Sequence, residues 1–174
     1  MTSIHDLPTP ALLLDIDVLD ANITRMAERA ASLGVSLRPH IKTHKCIEVG
    51  LRQHERGAEG IAVSTIPEAR AFAEHGFDDI TWAYPVQTGR IEEARELADR
   101  ITFRLTVDTG EAVAALDRAG SPFHVWLKVD CGYHRAGVDP STRYAVEVAQ
   151  AIHESSILKF DGLLTHAGHT YRGP

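Results

Sequence analysis

The chain has 174 residues, 44% of them hydrophobic and 24% charged, the proportions of a soluble domain with a sizeable core rather than of a disordered or fibrous chain. Its formal charge of -6, with acids interspersed among bases, leaves no basic stripe for a nucleic acid backbone and favours a small-molecule partner. Two cysteines cannot build a disulfide framework, the start MTSIHDLPTP has neither the basic nor the apolar part of an export signal, and no apolar run approaches a bilayer's thickness, so a cytoplasmic protein without a membrane segment is expected.

In chain order, a short apolar run at Ala11 to Asp15 reads as an early strand. After an amphipathic stretch stopped by Gly34, six further runs read as strands: Val35 to Lys42, Gly60 to Ser64, Asp79 to Ala83, Ile101 to Val107, Phe123 to Val129 and Phe160 to Thr165. Helical stretches separate them. Thr65 with Glu68 and Asp108 with Glu111 have the spacing of a capping box, and Asp139-Pro140 pre-sets a first helical turn. Gly34, Gly76 and Gly120 stand where a left-handed residue ends a helix.

Repeated strand and helix units imply a parallel α/β sheet, either doubly wound or closed as a (β/α)8 barrel. Such a barrel typically takes about 250 residues. Six barrel strands are used up by Thr165, so a barrel here is expected to be incomplete, with residues 1–174 forming one N-terminal domain.

The most informative strand is LRPHIK. Alternation puts Leu37, Pro39 and Ile41 on one face and Arg38, His40 and Lys42 on the other. In a barrel the apolar face packs on helices and the cationic face points inward, with Lys42 at the strand's C-terminal end, where barrel active sites form. Cationic neighbours such as Arg38, His40 and His44 favour a neutral amine, the form that attacks a carbonyl. Asp130, Gly132 and Arg135 follow a strand in a glycine-bearing loop, again at the active end. Thr165, His166, His169, Thr170 and Tyr171 follow the last strand toward the same mouth, and Trp82 and Tyr84 are candidates for a pocket wall or for packing. His40 and His44 have the spacing of a helical zinc pair, but Pro39 and the strand pattern oppose a helix, so no metal site is assigned. Cys46 and Cys131 read as small buried residues. No GxGxxG or Walker string is present, which disfavours a dinucleotide or nucleoside triphosphate enzyme.

TPALLLD at 9–15, RPHIKTHK at 38–45, KVDCGYHRAGV at 128–138 and THAGHTY at 165–171 occur in that order. Together they resemble the D-threonine aldolase and D-serine dehydratase family, whose barrel is of the alanine racemase kind. The resemblance implies pyridoxal 5'-phosphate held by Lys42 as a Schiff base, with Lys45 a flanking residue. It also implies Arg135 as a contact to the cofactor's phenolic oxygen, and His166, Thr170 and Tyr171 as further cofactor-binding candidates. A divalent metal, Zn or Mn, is implied only through a C-terminal β domain absent from this sequence. The implied activity is a lyase acting on D-3-hydroxy amino acids, by β-elimination or retro-aldol cleavage, in a homodimer. The readings set beside it are an amino-acid racemase and a non-catalytic PLP-binding protein. Between the two lyase outcomes, VDCGYHRAGV and HAGHTY lean toward the dehydratase.

Overall fold

The computed structural model describes residues 3–173. After helix α1 (Ile16–Ser32) and helix α2 (Ile47–Glu55), strands and helices alternate as β1 (Ile61–Val63), α3 (Ile66–Ala73), β2 (Asp79–Pro85), α4 (Ile91–Ala98), β3 (Thr102–Val107), α5 (Gly110–Ala119), β4 (His124–Val129), α6 (Arg143–Glu154) and β5 (Lys159–Thr165). All five strands are parallel and lie in the order β1-β2-β3-β4-β5. A doubly wound sheet reverses its strand order at a switch point. Here the order never reverses, so the sheet is an arc of a (β/α)8 barrel.

Five of the six barrel strands expected from the sequence form as strands. The sixth, Val35 to Lys42, is an extended segment that joins the sheet through single parallel bridges, Leu37 to Ala58 and His40 to Ala62. Its last residues wind into a 3-10 turn over Ile41–Thr43, so Lys42 sits on a turn at the strand's end rather than within a strand. Ala11 to Asp15 is not a strand. Among the described residues no strand lies beside it to take its backbone hydrogen bonds, and Leu12 is 99% exposed. Asp15 instead caps α1 by accepting the Val18 N–H at 3.1 Å.

Period-two alternation divides the strands between two environments. Ile61, Val63, Ile80, Trp82, Phe103, Leu105, Val107, Val125 and Leu127 face the helices and form one core with Ile66, Phe72, Leu97, Leu116 and Ile152. Ile41 is fully buried in that core, as the apolar face of LRPHIK requires. Trp82 belongs to it as well: its indole N–H donates to the Ser64 carbonyl and its ring stacks on Phe103.

The helix signals are partly displaced. Thr65 caps α3 as expected, but Glu68 reaches the Ser64 N–H instead of the cap's own. Thr109, not Asp108, caps α5, because the Asp108 carboxylate is taken by the Gly137 N–H. Asp139 and Pro140 form a turn in which Asp139 accepts from Ser141, and α6 begins only at Arg143 under a Thr142 cap. Gly34, Gly76 and Gly120 have the positive φ that their positions demand.

Candidate active site

The cavity of about 560 Å³ inside the arc is lined by the inward side chains of the strands and by the turns beyond their C-terminal ends, a size ordinary for a cofactor or small substrate. Its cationic groups come from four places. Arg38 lies on the first segment and Lys42 on the turn that follows, while Lys128 is on β4 and Arg135 on the next loop. Among the described residues no aspartate or glutamate lines it, although the chain as a whole carries an excess of acids.

Lys42 and Lys45 part company at the 3-10 turn. Lys42 lines the cavity. Lys45, with a left-handed φ of 47°, points its ammonium at Glu68 of α3, 3.0 Å away, and is not among the lining residues. Beside Lys42, the His40 Nδ1 accepts the Lys42 backbone N–H at 3.4 Å and its Nε2 stands 3.5 Å from the Ser64 hydroxyl. Burial, with the Lys42 charge adding to it, lowers the His40 pKa to about 4, so this ring is neutral near pH 7. His44 turns away from the cavity; its Nδ1 accepts the Cys46 N–H, and burial holds its pKa down. The two histidines do not converge, because the turn lacks the pitch of an α-helix. Among the described residues no three metal-ligating side chains stand together.

Lys128 is 4% exposed, and among the described residues its ammonium donates one hydrogen bond, to the Ala83 carbonyl at 3.4 Å. Burial lowers its pKa and the nearby Arg135 charge lowers it further. Thr81 and Trp126 line the same cavity, and the Thr81 hydroxyl and Trp126 indole nitrogen are buried without a hydrogen-bond partner among the described residues. Sequence reading passed over all three. The signal was available: in HVWLKV, alternation sets His124, Trp126 and Lys128 against Val125, Leu127 and Val129, the same parity that placed Lys42.

Arg135 is presented by a loop built around Asp130. The Asp130 carboxylate accepts the N–H groups of Gly132 and His134 and contacts His134 Nδ1 at 3.0 Å. The backbone N–H groups of His134 and Gly132 lead in lowering its pKa to about 2. Asp130 is thus committed to the loop and does not pair with Arg135. The Arg135 guanidinium instead stands 5.8 Å from the Tyr84 ring centre and 5.3 Å from that of Tyr133.

His166 and Tyr171 also line the cavity. The His166 ring stacks on Tyr133 at 5.3 Å and meets Tyr171 edge-on at 5.7 Å. Burial lowers its pKa, with the charges of Arg135, Lys42 and Lys128 acting in the same direction. Thr165 lines the cavity, but its hydroxyl donates to the Val129 carbonyl. Thr170 lies apart from the lining, its hydroxyl donating to the Ala167 carbonyl. His169 is likewise off the lining. Tyr84 is a wall of the cavity while Trp82 is core. Cys131 is exposed on its loop rather than buried, and the Cys46 thiol is 3.0 Å from the Glu48 carboxylate.

Residues 14–172 match the family described as alanine racemase, N-terminal domain. The chain belongs to this family. It is 36% identical over 186 residues to D-serine dehydratase of Dictyostelium discoideum, an alignment covering 97% of this chain and 47% of that protein. It is 38% identical over 171 residues to D-threo-3-hydroxyaspartate dehydratase of Delftia sp., covering 95% and 45%. The solved structure of that Delftia enzyme superposes with a TM-score of 0.91 at 36% identity, over 95% of this chain and 45% of the other. A D-threonine aldolase of Arthrobacter sp. is 32% identical over 92% of this chain and 43% of its own length. The chain thus spans about half the length of these relatives. Among the described residues no helix is long and apolar enough to cross a membrane.

Proposed function

We propose that this chain forms the cofactor-bearing part of a pyridoxal 5'-phosphate lyase acting on D-3-hydroxy amino acids, with Lys42 as the attachment point. The observation that carries this reading is the cavity itself, which gathers Lys42, Lys128 and Arg135 with no lining carboxylate among the described residues, inside an acidic chain. Such a lining suits a ligand with several anionic groups.

Lys42 would hold the cofactor through its amine and Arg135 would hold an anionic oxygen, having no carboxylate of its own to satisfy. When bound, the cofactor supplies an electron sink for cleavage at the substrate Cα. The amine of Lys42 would also serve as a proton carrier at the substrate Cα. His40, neutral above about pH 4, steadies the Lys42 backbone without adding charge. His166 and Tyr171 wall the mouth, and Lys128 supplies a buried donor beneath it. Elimination of the β-hydroxyl is favoured over retro-aldol cleavage, supported by the dehydratase names at 36% and 38% identity against the aldolase at 32%.

Full-length protein is expected to release pyruvate and ammonia from D-serine, or the corresponding oxo acid from D-threo-3-hydroxyaspartate. Glycine and aldehyde from D-threonine would move the assignment to the aldolase. If no D-3-hydroxy amino acid reacts, the lyase reading fails.

A further inference from the structure

Tyr133 touches both Arg135 and His166 yet is not itself among the cavity's lining residues. Its position is heavily determined. Gly132 has φ 115° and His134, a non-glycine residue, has φ 57°. A left-handed non-glycine residue persists only where its surroundings hold it there. Here the hold is the Asp130 carboxylate, which takes both flanking N–H groups and the His134 ring. From the β5 side, Gly168 is buried. A Cβ on Gly168 would lie 3.0 Å from both Cδ atoms of Tyr133 and 3.0 Å from His166 Cε1. A side chain at 168 would therefore crowd both rings, and glycine lets the loop after β5 lie against the Tyr133 ring while His166 stacks on it. The loops after β4 and β5 are joined at the cavity mouth through this one ring.

We propose that Tyr133 is a positioning residue that locks Arg135 and His166 into one arrangement at the mouth, through the face of its ring and not through its hydroxyl. This rests on the lyase reading for its consequence in turnover, but not for the geometry. A flat aromatic ring gives a guanidinium and an imidazole a shared surface at small entropic cost. Neither group then needs a carboxylate to hold it in place, and such a carboxylate would compete with an anionic ligand.

The test uses the full-length protein and five variants: Tyr133→Phe, Tyr133→Leu, Arg135→Ala, Gly168→Ala, and Tyr133→Leu combined with Arg135→Ala. Tyr133→Phe should keep kcat/KM within about twofold, and Tyr133→Leu should lower it by about tenfold or more through loss of orientation. In the double variant the two losses should not multiply, since each disables the same contact. Gly168→Ala should cost less than Tyr133→Leu. Independently of turnover, the His166 ring proton signal in NMR should carry a ring-current shift in wild type and Tyr133→Phe that disappears in Tyr133→Leu. The proposal is overturned if Tyr133→Phe is as damaging as Tyr133→Leu, if the double variant shows multiplying losses, or if the His166 signal is unchanged in Tyr133→Leu. Should wild type prove inactive on D-3-hydroxy amino acids, the lyase reading falls, and the NMR comparison still decides the role of the ring.

Discussion

Toward the N-terminal ends of the strands, Arg38, Asp79, Arg104, His124 and Asp161 form one chain of contacts in which each basic side chain meets a carboxylate. Arg38 grips Asp79 with two hydrogen bonds at 2.6 and 3.0 Å, Arg104 bridges Asp79 and Asp161, and His124 Nδ1 stands 2.9 Å from Asp161. Gly60 makes room for this, since a Cβ there would strike the Arg38 guanidinium and the Asp79 carbonyl. Toward the C-terminal ends, Lys42, Lys128 and Arg135 share a cavity with no lining carboxylate among the described residues. The same barrel interior thus holds two kinds of charge. Paired charges tie neighbouring strands together, whereas a buried cation without an ion-pair partner among the described residues, such as Lys128, costs folding energy, a cost that the anionic ligand proposed above would offset.

The contrast can be broken from either end. The largest effect is expected from Lys42→Ala in the full-length protein: cofactor absorbance in the visible range and turnover are both lost, while Lys45→Ala retains them, as spectra of the purified variants will show. The opposite pattern would place the attachment at Lys45 and undo the assignment.

At the paired end, Asp79→Ala leaves Arg38 and Arg104 without their shared carboxylate. With those side chains partly exposed, the loss should be about 2 kcal/mol, read from the urea midpoint, with cofactor affinity little changed. Lys128→Met should do the reverse. Removing an unpaired buried cation leaves stability unchanged or raised by about 1 kcal/mol, while cofactor affinity measured by titration falls by about tenfold. If Lys128→Met destabilises and binds normally, the ammonium belongs to the structural charges and the contrast fails.

A smaller effect is expected in the pH dependence of stability. The folded His40 pKa is about 4, below the usual 6.5, so between these values the unfolded chain takes up a proton that the folded chain refuses. Stability is therefore full above about pH 6.5 and declines as pH falls toward 4. The decline should be on the order of 1 kcal/mol once solvent screening is allowed for. His40→Asn should lack this part of the slope in thermal melts from pH 7 to 4.5. The smallest effect is that of Lys45→Ala on stability, under about 1 kcal/mol, because the Lys45 side chain in the Glu68 pair is 63% exposed.

Much of this contrast can be traced in the sequence. Alternation in LRPHIK already sends Arg38, His40 and Lys42 inward, and the same alternation in HVWLKV sends His124, Trp126 and Lys128 there too. Alternation does not say which inward charges are paired. Arg38 and Lys42 share a face four residues apart, yet one is neutralised by Asp79, 41 positions along the chain, and the other is not. The capping residues show the same limit. Asp108 has the spacing to cap α5, but a loop arriving from the next unit takes its carboxylate at Gly137.

The sequence by itself determined the strand and helix alternation, the inward parity of the lysine segment and the glycine stops, because each depends on residues within a few positions of one another and on local backbone preference. Tertiary structure alone decided that the sheet runs in one order as a barrel arc, that Ala11 to Asp15 has no strand beside it among the described residues, and that Lys45 turns to Glu68. It also decided that Tyr133 stands between Arg135 and His166. The physical reason is common to all of these: pairing, burial and charge compensation are set by groups that the chain brings together only when the βα units pack side by side.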